Sequence, residues 1–427
     1  MSMLPVNEAE ALILNVVQPL DSQQDAEVVD LSSAAGRILA TPVTSQLDFP
    51  HWDNSAMDGY AVRYADVQNC NAEQPAVLEI VEEIPCGFKP QVTIQPGQAA
   101  RILTGSMMPD GADTVVMQEV TKREGSSVFI LTAPQPQAFV RHRAAFYQAG
   151  TPLLPAGIAL NAPEIAVLAA AQCNQLPVYR RPRVAILSTG DELVTPDQPL
   201  QPGKIVDSNQ YALAAIVAQS GAIPLMMGIV RDEREALKEA IASAISTADI
   251  VLSTGGVSVG DYDYVEEILA QLGAEIHIRS VAVKPGKPLT VATFSQNRKM
   301  GSGAAENQLF SNKPVLYFGI PGNPVSALVS FWRFVQPALR KLSGLSQGWE
   351  PIWVKARSLH DLRSDGKRES YLWGCLNLKD GDFEFQLAGG SHSSGNLINL
   401  ANTNGLAVLP VGTTFIPAGE QVLVLKI

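Results

Sequence analysis

A chain of 427 residues is longer than one core organises, so two to four domains are expected. A formal net charge of −11 argues against non-specific nucleic-acid binding and against an anionic membrane surface. No apolar run is long enough to span a bilayer, and no basic start precedes an apolar h-region. The four cysteines, Cys70, Cys86, Cys173 and Cys375, show neither metal spacing nor a CxxC pair, so they read as reduced, individually buried thiols in a cytoplasmic protein.

In chain order, Asn7 to Val17 has the spacing of an amphipathic helix, and a second helical segment is predicted around Leu31 to Leu39. The stretch Leu47 to Val62 is dense in Asp, Asn, Ser, Pro and Gly, which marks a loop with turn chemistry. Phe49, Trp52, Met57 and Tyr60 interleave with those residues, so the loop is expected to be pinned to a surface. It reads either as an acidic site or as an Asx-turn-rich connector.

Short β-runs then follow at close intervals: Val77 to Glu82, Val92 to Ile94, Ala100 to Leu103, Thr114 to Glu119 and Val128 to Leu131. They predict a compact inserted β domain. Thr104-Gly105 closes one of these runs, as a plain turn or as a hydroxyl within reach of a ligand. A helix is predicted from Ala162 to Ala171.

From Val184 onwards strands and helices alternate, which predicts a doubly wound, mostly parallel sheet. The fullest signal lies in Ala248 to Tyr264. Asp249 to Ser253 is an apolar, β-branched strand, Gly255, Gly256 and Gly260 permit a tight loop, and Asp263 to Leu272 has helical spacing. Strand, glycine loop and helix can hold an anion on backbone N–H groups. This loop also carries Asp261 and Asp263. Carboxylates repel a bare phosphate, so the reading is a phosphate bridged by a divalent cation, against an ordinary βα turn with an acidic helix start. Thr189-Gly-Asp-Glu192 and Arg231-Asp232 fall at the ends of two more strands, which places three acidic loops on one rim.

Lys284-Pro-Gly-Lys-Pro288 adds two ammonium groups on a stiff turn, suited to an oxyanion. Ser295 to Lys313 reads as a polar loop. Val315 to Gly319 is a buried strand feeding a helix that Asn323 and Ser326 either cap or open toward an anion. Beyond Gly344 short strands return, as a small all-β domain.

These stretches resemble the molybdopterin molybdenumtransferases, the MoeA family that includes the gephyrin E domain. The motifs are Asp53-Asn-Ser-Ala-Met-Asp-Gly-Tyr-Ala61, Thr104-Gly105, Ser188-Thr-Gly-Asp-Glu-Leu193, Ser253 to Gly260 with Asp263, Lys284 to Pro288, and Pro321-Gly-Asn-Pro-Val-Ser326. They occur in the family's order along the whole chain. The resemblance implies a multidomain α/β protein. Residues 1–48 with 140–180 would form a helical linking domain and 49–139 an inserted β domain. Residues 181–345 would form a molybdopterin-binding-like α/β domain, and 346–427 a small β-barrel. It also implies insertion of molybdenum from molybdate into adenylylated molybdopterin, with Mg2+ and release of AMP, in a cleft completed by both chains of a homodimer.

By the same resemblance Asp58, Glu192, Asp232 and Asp263 are catalytic groups, and Asp58, Glu192 and Asp263 hold the metal. Thr104, Thr189, Gly255, Gly256, Ser258, Gly260, Lys284, Lys287, Pro288, Asn323, Ser326, Arg368 and Ser391 bind substrate. Partner proteins would be the molybdopterin adenylyltransferase and acceptor molybdoenzymes.

Two departures from the family pattern stand out. Ala144-Ala145-Phe146 replaces a run that is commonly acidic, and Trp373 stands where an Arg precedes a Gly, leaving Arg368 as the nearest guanidinium. An Arg fork can bind an oxyanion through two N–H groups and Trp cannot. They motivate a competing function, a catalytically reduced paralogue that binds molybdopterin or a partner protein. A third reading, a nucleotide-pyrophosphate hydrolase on the same α/β domain, leaves the Asp53 to Ala61 segment without a purpose.

Overall fold

A computed structural model describes residues 3–255, 262–295 and 313–427, with 262–264 described for backbone alone. Gly256, Ser258, Gly260 and Asp261, and the Asp263 side chain, therefore lie outside the described residues, as does most of the Ser295 to Lys313 segment. The chain divides into two compact units. One comprises Met1–Thr41, Ala156–Ile165 and Gln175–Ile427, and the other Pro42–Pro155 with Ala166–Asn174. No helix among the described residues is long and apolar enough to cross a membrane.

The first unit opens with α1 (Val6–Val16), which buries Val6, Ala9 and Ile13 at helical spacing. The helix predicted over Leu31 to Leu39 is not formed. Only the 3-10 turn Leu31–Ser33 is helical, and Gly36 then takes φ +73°. The Gly36 and Leu39 N–H groups instead go to the carbonyls of Leu160 and Ile158. Long-range pairing of the backbone has overridden a weak local propensity.

The second unit is built on a six-stranded sheet: β1 (Gly59–Val62), β2 (Ala76–Ile84), β3 (Gln98–Ile102), β4 (Thr114–Met117), β5 (Thr121–Glu124) and β6 (Ser127–Ile130). The strand order is β4-β1-β3-β2-β6-β5. The expected run Val92 to Ile94 is not a strand: buried Ile94 donates its N–H to the Asp110 carbonyl, sixteen residues further on. Conversely β1, fully buried between β3 and β4, comes from the segment read as loop. The cysteines are not buried as expected: Cys86 is exposed, and Cys70, Cys173 and Cys375 are half-buried.

The remainder of the first unit carries the doubly wound domain. Its elements are β7 (Arg183–Thr189), α2 (Asn209–Gln219), β8 (Ile223–Val230), α3 (Arg234–Thr247), β9 (Ile250–Thr254), α4 (Tyr262–Gln271), β10 (Ala274–Ser280), β11 (Pro288–Phe294) and β12 (Val315–Ile320). The sheet runs β8-β7-β9-β12-β11-β10. The first four strands are parallel, and β11 and β10 are antiparallel additions at one edge. β9 and β12 are buried along their whole length, as near-continuous apolar runs in a covered parallel sheet should be. Helices α3 and α4 cover one face through Leu237, Ile241, Ile268 and Leu269.

After β12 the chain is helical from α5 (Pro324–Ser330) through a π turn, Phe331–Val335, into α6 (Gln336–Leu342). These residues pack with α1 and α2 on the other face of the sheet. The last strands are β13 (Trp353–Ser358), β14 (Glu369–Lys379), β15 (Asp382–Leu387), β16 (Gly405–Leu409) and β17 (Gln421–Lys426). Pairings β14–β15, β15–β13, β13–β17, β17–β16 and β16–β14 close a five-strand barrel around Phe385, Leu409 and Val424.

Candidate active site

Register fixes the rim of the sheet. Thr189 pairs with Val230, Ser188 with Thr254, and Thr254 with Ile320, so four parallel strands end together. The residues that follow those ends, Asp232, Glu192, Gly255 and Pro321 to Pro324, all line one pocket of about 1050 Å³. That is the carboxyl edge at which open α/β sheets bind ligands. The volume suits a nucleotide-sized molecule.

Two glycines let the strand ends close up. Gly255 has φ +89°, and a Cβ there would lie 2.2 Å from the Thr189 carbonyl oxygen and 2.9 Å from its hydroxyl. Gly190 has φ +152°, and a Cβ there would lie 2.7 and 2.8 Å from the two Glu192 carboxylate oxygens. The Glu192 carboxylate therefore folds back over the turn that carries it. Asn209 donates its side-chain N–H to the Gly322 carbonyl at 2.8 Å, which steadies the Pro321 to Pro324 turn. Asp207, buried on the pocket wall, accepts the Gln210 N–H at 3.2 Å.

Cations enter from two other directions. The Lys284 to Pro288 turn packs Gly286 against α5, where a Cβ would come within 2.9 Å of the Ser330 hydroxyl. Lys284 Nζ donates to Asp365 at 2.9 Å. That bond, with the Lys367 N–H, holds the Asp365 carboxyl below its ordinary range. Arg368 donates to the Val283 carbonyl at 3.3 Å, and Arg363 stacks on Phe415 with its guanidinium 4.6 Å from the ring centroid. Both arginines line the pocket.

Of the residues singled out from sequence, Thr189, Glu192, Asp232, Gly255, Lys284, Lys287, Pro288, Asn323, Ser326 and Arg368 share this pocket. Asn323 stands before α5 and makes no side-chain cap bond; the Val325 N–H goes to the Ser394 carbonyl at 3.1 Å. Ser391 begins the turn whose next residues, His392 to Ser394, form part of the wall. Asp207, Asn209, Arg363, Tyr371 and His392 also line it and were missed. Asp207 and Asn209 carried a readable signal, a short polar run opening a helix on the same rim. The others arrive from distant strands and carry none.

Asp58 and Thr104 belong to the second unit and meet each other there. The Asp58 carboxylate accepts the Thr104 backbone N–H at 2.7 Å and its hydroxyl at 2.8 Å. These bonds hold its pKa below the ordinary 3.8, so it is anionic at neutral pH. Nearby, Asp48 accepts from Arg143 Nε at 2.6 Å and from the Ala149 N–H at 2.8 Å. Asp53 accepts the Arg143 N–H at 2.7 Å and pairs with His142 Nδ1 at 3.0 Å. The acidic segment is thus tied to residues 140–149, and the Phe49 and Tyr147 rings pack edge-on at 5.9 Å. Ala144, the first residue of the altered run, takes φ +63°, and Phe146 is 74% exposed.

An α/β sheet presenting carboxylates at one edge, faced by lysines and arginines and joined to a closed barrel, defines a protein whose pocket suits a charged ligand. Family models identify the class further. Residues 4–171 match the MoeA N-terminal region (domain I and II), 185–341 the probable molybdopterin binding domain, and 355–427 the MoeA C-terminal region (domain IV). A molybdopterin molybdenumtransferase from a Nostoc species is 65% identical over 99% of this chain and 93% of its own length. One from Haemophilus influenzae is 33% identical over 99% of this chain and 98% of its own. The solved molybdopterin biosynthesis MoeA protein of Pyrococcus horikoshii superposes with a TM-score of 0.81 at 28% identity, covering both chains completely. The chain belongs to the molybdopterin molybdenumtransferase family, and it is an enzyme.

Proposed function

We propose that the chain inserts molybdenum from molybdate into adenylylated molybdopterin, with Mg2+-dependent release of AMP. The observation that carries this reading is the pocket itself, where Glu192 and Asp232 stand with Lys284, Lys287 and Arg368. Carboxylate oxygens suit Mg2+, which takes one or two of them along with substrate phosphates. Glu192 would hold the ion together with Asp263 and Asp58, and the bound ion would supply charge stabilisation for the leaving phosphate.

The chain's own groups perform the rest. Lys284, Lys287 and Arg368 attract and orient the oxyanions of phosphate and molybdate. Thr189, Gly255 and the Asn323 to Ser326 turn shape the wall against which the substrate lies. Asp58, anionic and held by Thr104, acts from the second unit. We read the enzyme as a cytoplasmic homodimer whose clefts use groups from both chains. The molybdopterin adenylyltransferase would deliver its substrate and molybdoenzymes would accept its product.

The test is AMP release from adenylylated molybdopterin, measured with and without molybdate and Mg2+. Dependence on both is the expected result. Tight binding without release overturns the reading in favour of a binding paralogue. Mixing Asp58→Asn and Asp232→Asn chains tests the shared cleft: mixed dimers should regain activity that neither variant has alone.

A further inference from the structure

Trp373 stands where the family pattern has a guanidinium, and it cannot bind an oxyanion as one would. Its surroundings give it a different task. The side chain is 1% exposed in the middle of β14, where it forms part of the pocket wall beside His392. Its indole N–H donates to Asn399 Oδ1 at 3.1 Å. The Asn399 amide N–H groups in turn reach two carbonyls, Gly389 at 2.9 Å and Ser391 at 2.8 Å. The Trp373 ring also packs on His392 at 4.6 Å between centroids, tilted by 48°, and His392 Nε2 meets the Ala388 carbonyl at 2.9 Å.

These contacts reach the turn from Gly389 to Ser394 either directly, through His392, or by way of Asn399, and the turn's last residue takes the Val325 N–H. We propose that Trp373, acting through Asn399, is a positioning residue for this turn, and sets the wall of the pocket that receives the oxyanion. The inference rests on the pocket being the substrate site proposed above. A buried indole has one donor, and Asn399 is the only residue it reaches by hydrogen bond among those described. The amide then converts that single bond into a clamp on two backbone carbonyls. Removing the indole N–H leaves the amide held by the turn's own carbonyls but no longer tied to β14, so this link between strand and turn is lost.

Two variants separate the relay from mere packing. Trp373→Phe keeps a ring against His392 and removes the N–H. Asn399→Asp keeps the acceptor for the indole and removes both donors to the turn. In the full-length enzyme each should raise the KM for molybdate about fivefold to tenfold, as loss of one buried hydrogen bond would, with kcat changed less than about twofold. The double variant should be no worse than either single one, because both break one connection. Amide hydrogen exchange over residues 389–396, measured without any substrate, should quicken in both variants.

If either variant keeps the wild-type KM, or exchanges over 389–396 at the wild-type rate, the positioning role is wrong. A wild-type enzyme whose AMP release ignores molybdate would instead overturn the proposed function. The exchange rates would then still decide whether the indole bond holds the turn.

Discussion

Asp58 receives both of its hydrogen bonds from Thr104 on one oxygen, the backbone N–H at 2.7 Å and the hydroxyl at 2.8 Å, which leaves the second carboxylate oxygen outside that pairing. An Asn in its place can present one carbonyl oxygen to the same two donors. Asp58→Asn should therefore keep the melting transition and abolish turnover, a loss of at least about 10²-fold if the charge is what the reaction uses. Full activity in this variant would remove Asp58 from the catalytic groups. The pH dependence has a definite sign. The folded pKa is depressed below 3.8, so whatever the ionised group contributes is present above that value and is lost as pH falls through the lower one. An acid limb in the rate centred above pH 4 to 5 would belong to another group.

Gly255→Ala tests the rim. The added Cβ meets the Thr189 carbonyl oxygen at 2.2 Å, a backbone atom that cannot swing aside, and the residue must also hold φ +89°. The left-handed conformation alone costs about 1–2 kcal/mol, and the clash adds to it. Thermal unfolding should show a loss of at least that size, with a raised KM for the pterin substrate. A variant with unchanged stability and kinetics would mean that the ends of β7 and β9 need not approach as they do.

Arg180→Ala addresses what ties the start of the interior strand β9 to the turn at Asp25. Arg180 makes a bidentate pair with Asp249, at 2.7 and 2.8 Å, and reaches buried Asp25 through Nε at 2.9 Å. Removing it strands a buried carboxylate with Lys313 as its remaining cation. The expected cost is about 3 kcal/mol in chemical denaturation. Burial pushes the Asp25 carboxyl up, but the Asp21 N–H together with Arg180 and Lys313 outweighs it, so its pKa lies below 3.8. The stability it lends is present at neutral pH and disappears as pH drops through that depressed value. The variant should lose part of this acid dependence.

Phe146→Asp restores an acidic side chain to a run that is commonly acidic in the family pattern. Phe146 is 74% exposed, and its N–H goes to the Phe49 carbonyl at 2.8 Å. A surface change of this kind shifts stability by no more than about 0.5 kcal/mol. AMP release should change more than the melting temperature does. A large drop in melting temperature with an unchanged rate would show that the ring has a packing role.

Much of this architecture was legible because buried parallel strands announce themselves as apolar runs. Ile250 to Thr254 and Val315 to Ile320 are examples, and the glycines and carboxylates that follow them mark the ligand edge. Gly59–Val62 was not legible: four buried residues are too short a run to stand out beside Asp53, Asn54 and Asp58, and partners far along the chain make them a strand. Leu31 to Leu39 failed in the opposite sense, when distant carbonyls claimed N–H groups that a helix would have used. Trp373 was read from its residue type as the loss of a ligand. Its hydrogen bond to Asn399 joins a strand to the 3-10 segment Ile398–Leu400, a contact that no local pattern carries.

The two lysines of the Lys284 to Pro288 turn should not be equivalent. Lys284 already spends its charge on Asp365 at 2.9 Å, while the Lys287 ammonium has no hydrogen-bond or ion-pair partner among the described residues. An incoming oxyanion gains a full charge-assisted bond from Lys287, whereas at Lys284 it must displace a carboxylate held in place by the Lys367 N–H at 3.0 Å. Lys287→Ala should therefore raise the KM for molybdate by about tenfold or more, and Lys284→Ala by less. Asp365→Asn should act in the opposite direction, lowering KM by releasing Lys284, and this gain should shrink at high salt as the freed charge is screened. Equal losses from the two lysine variants, with no effect of Asp365→Asn, would mean that the Lys284–Asp365 pair does not persist when substrate is bound.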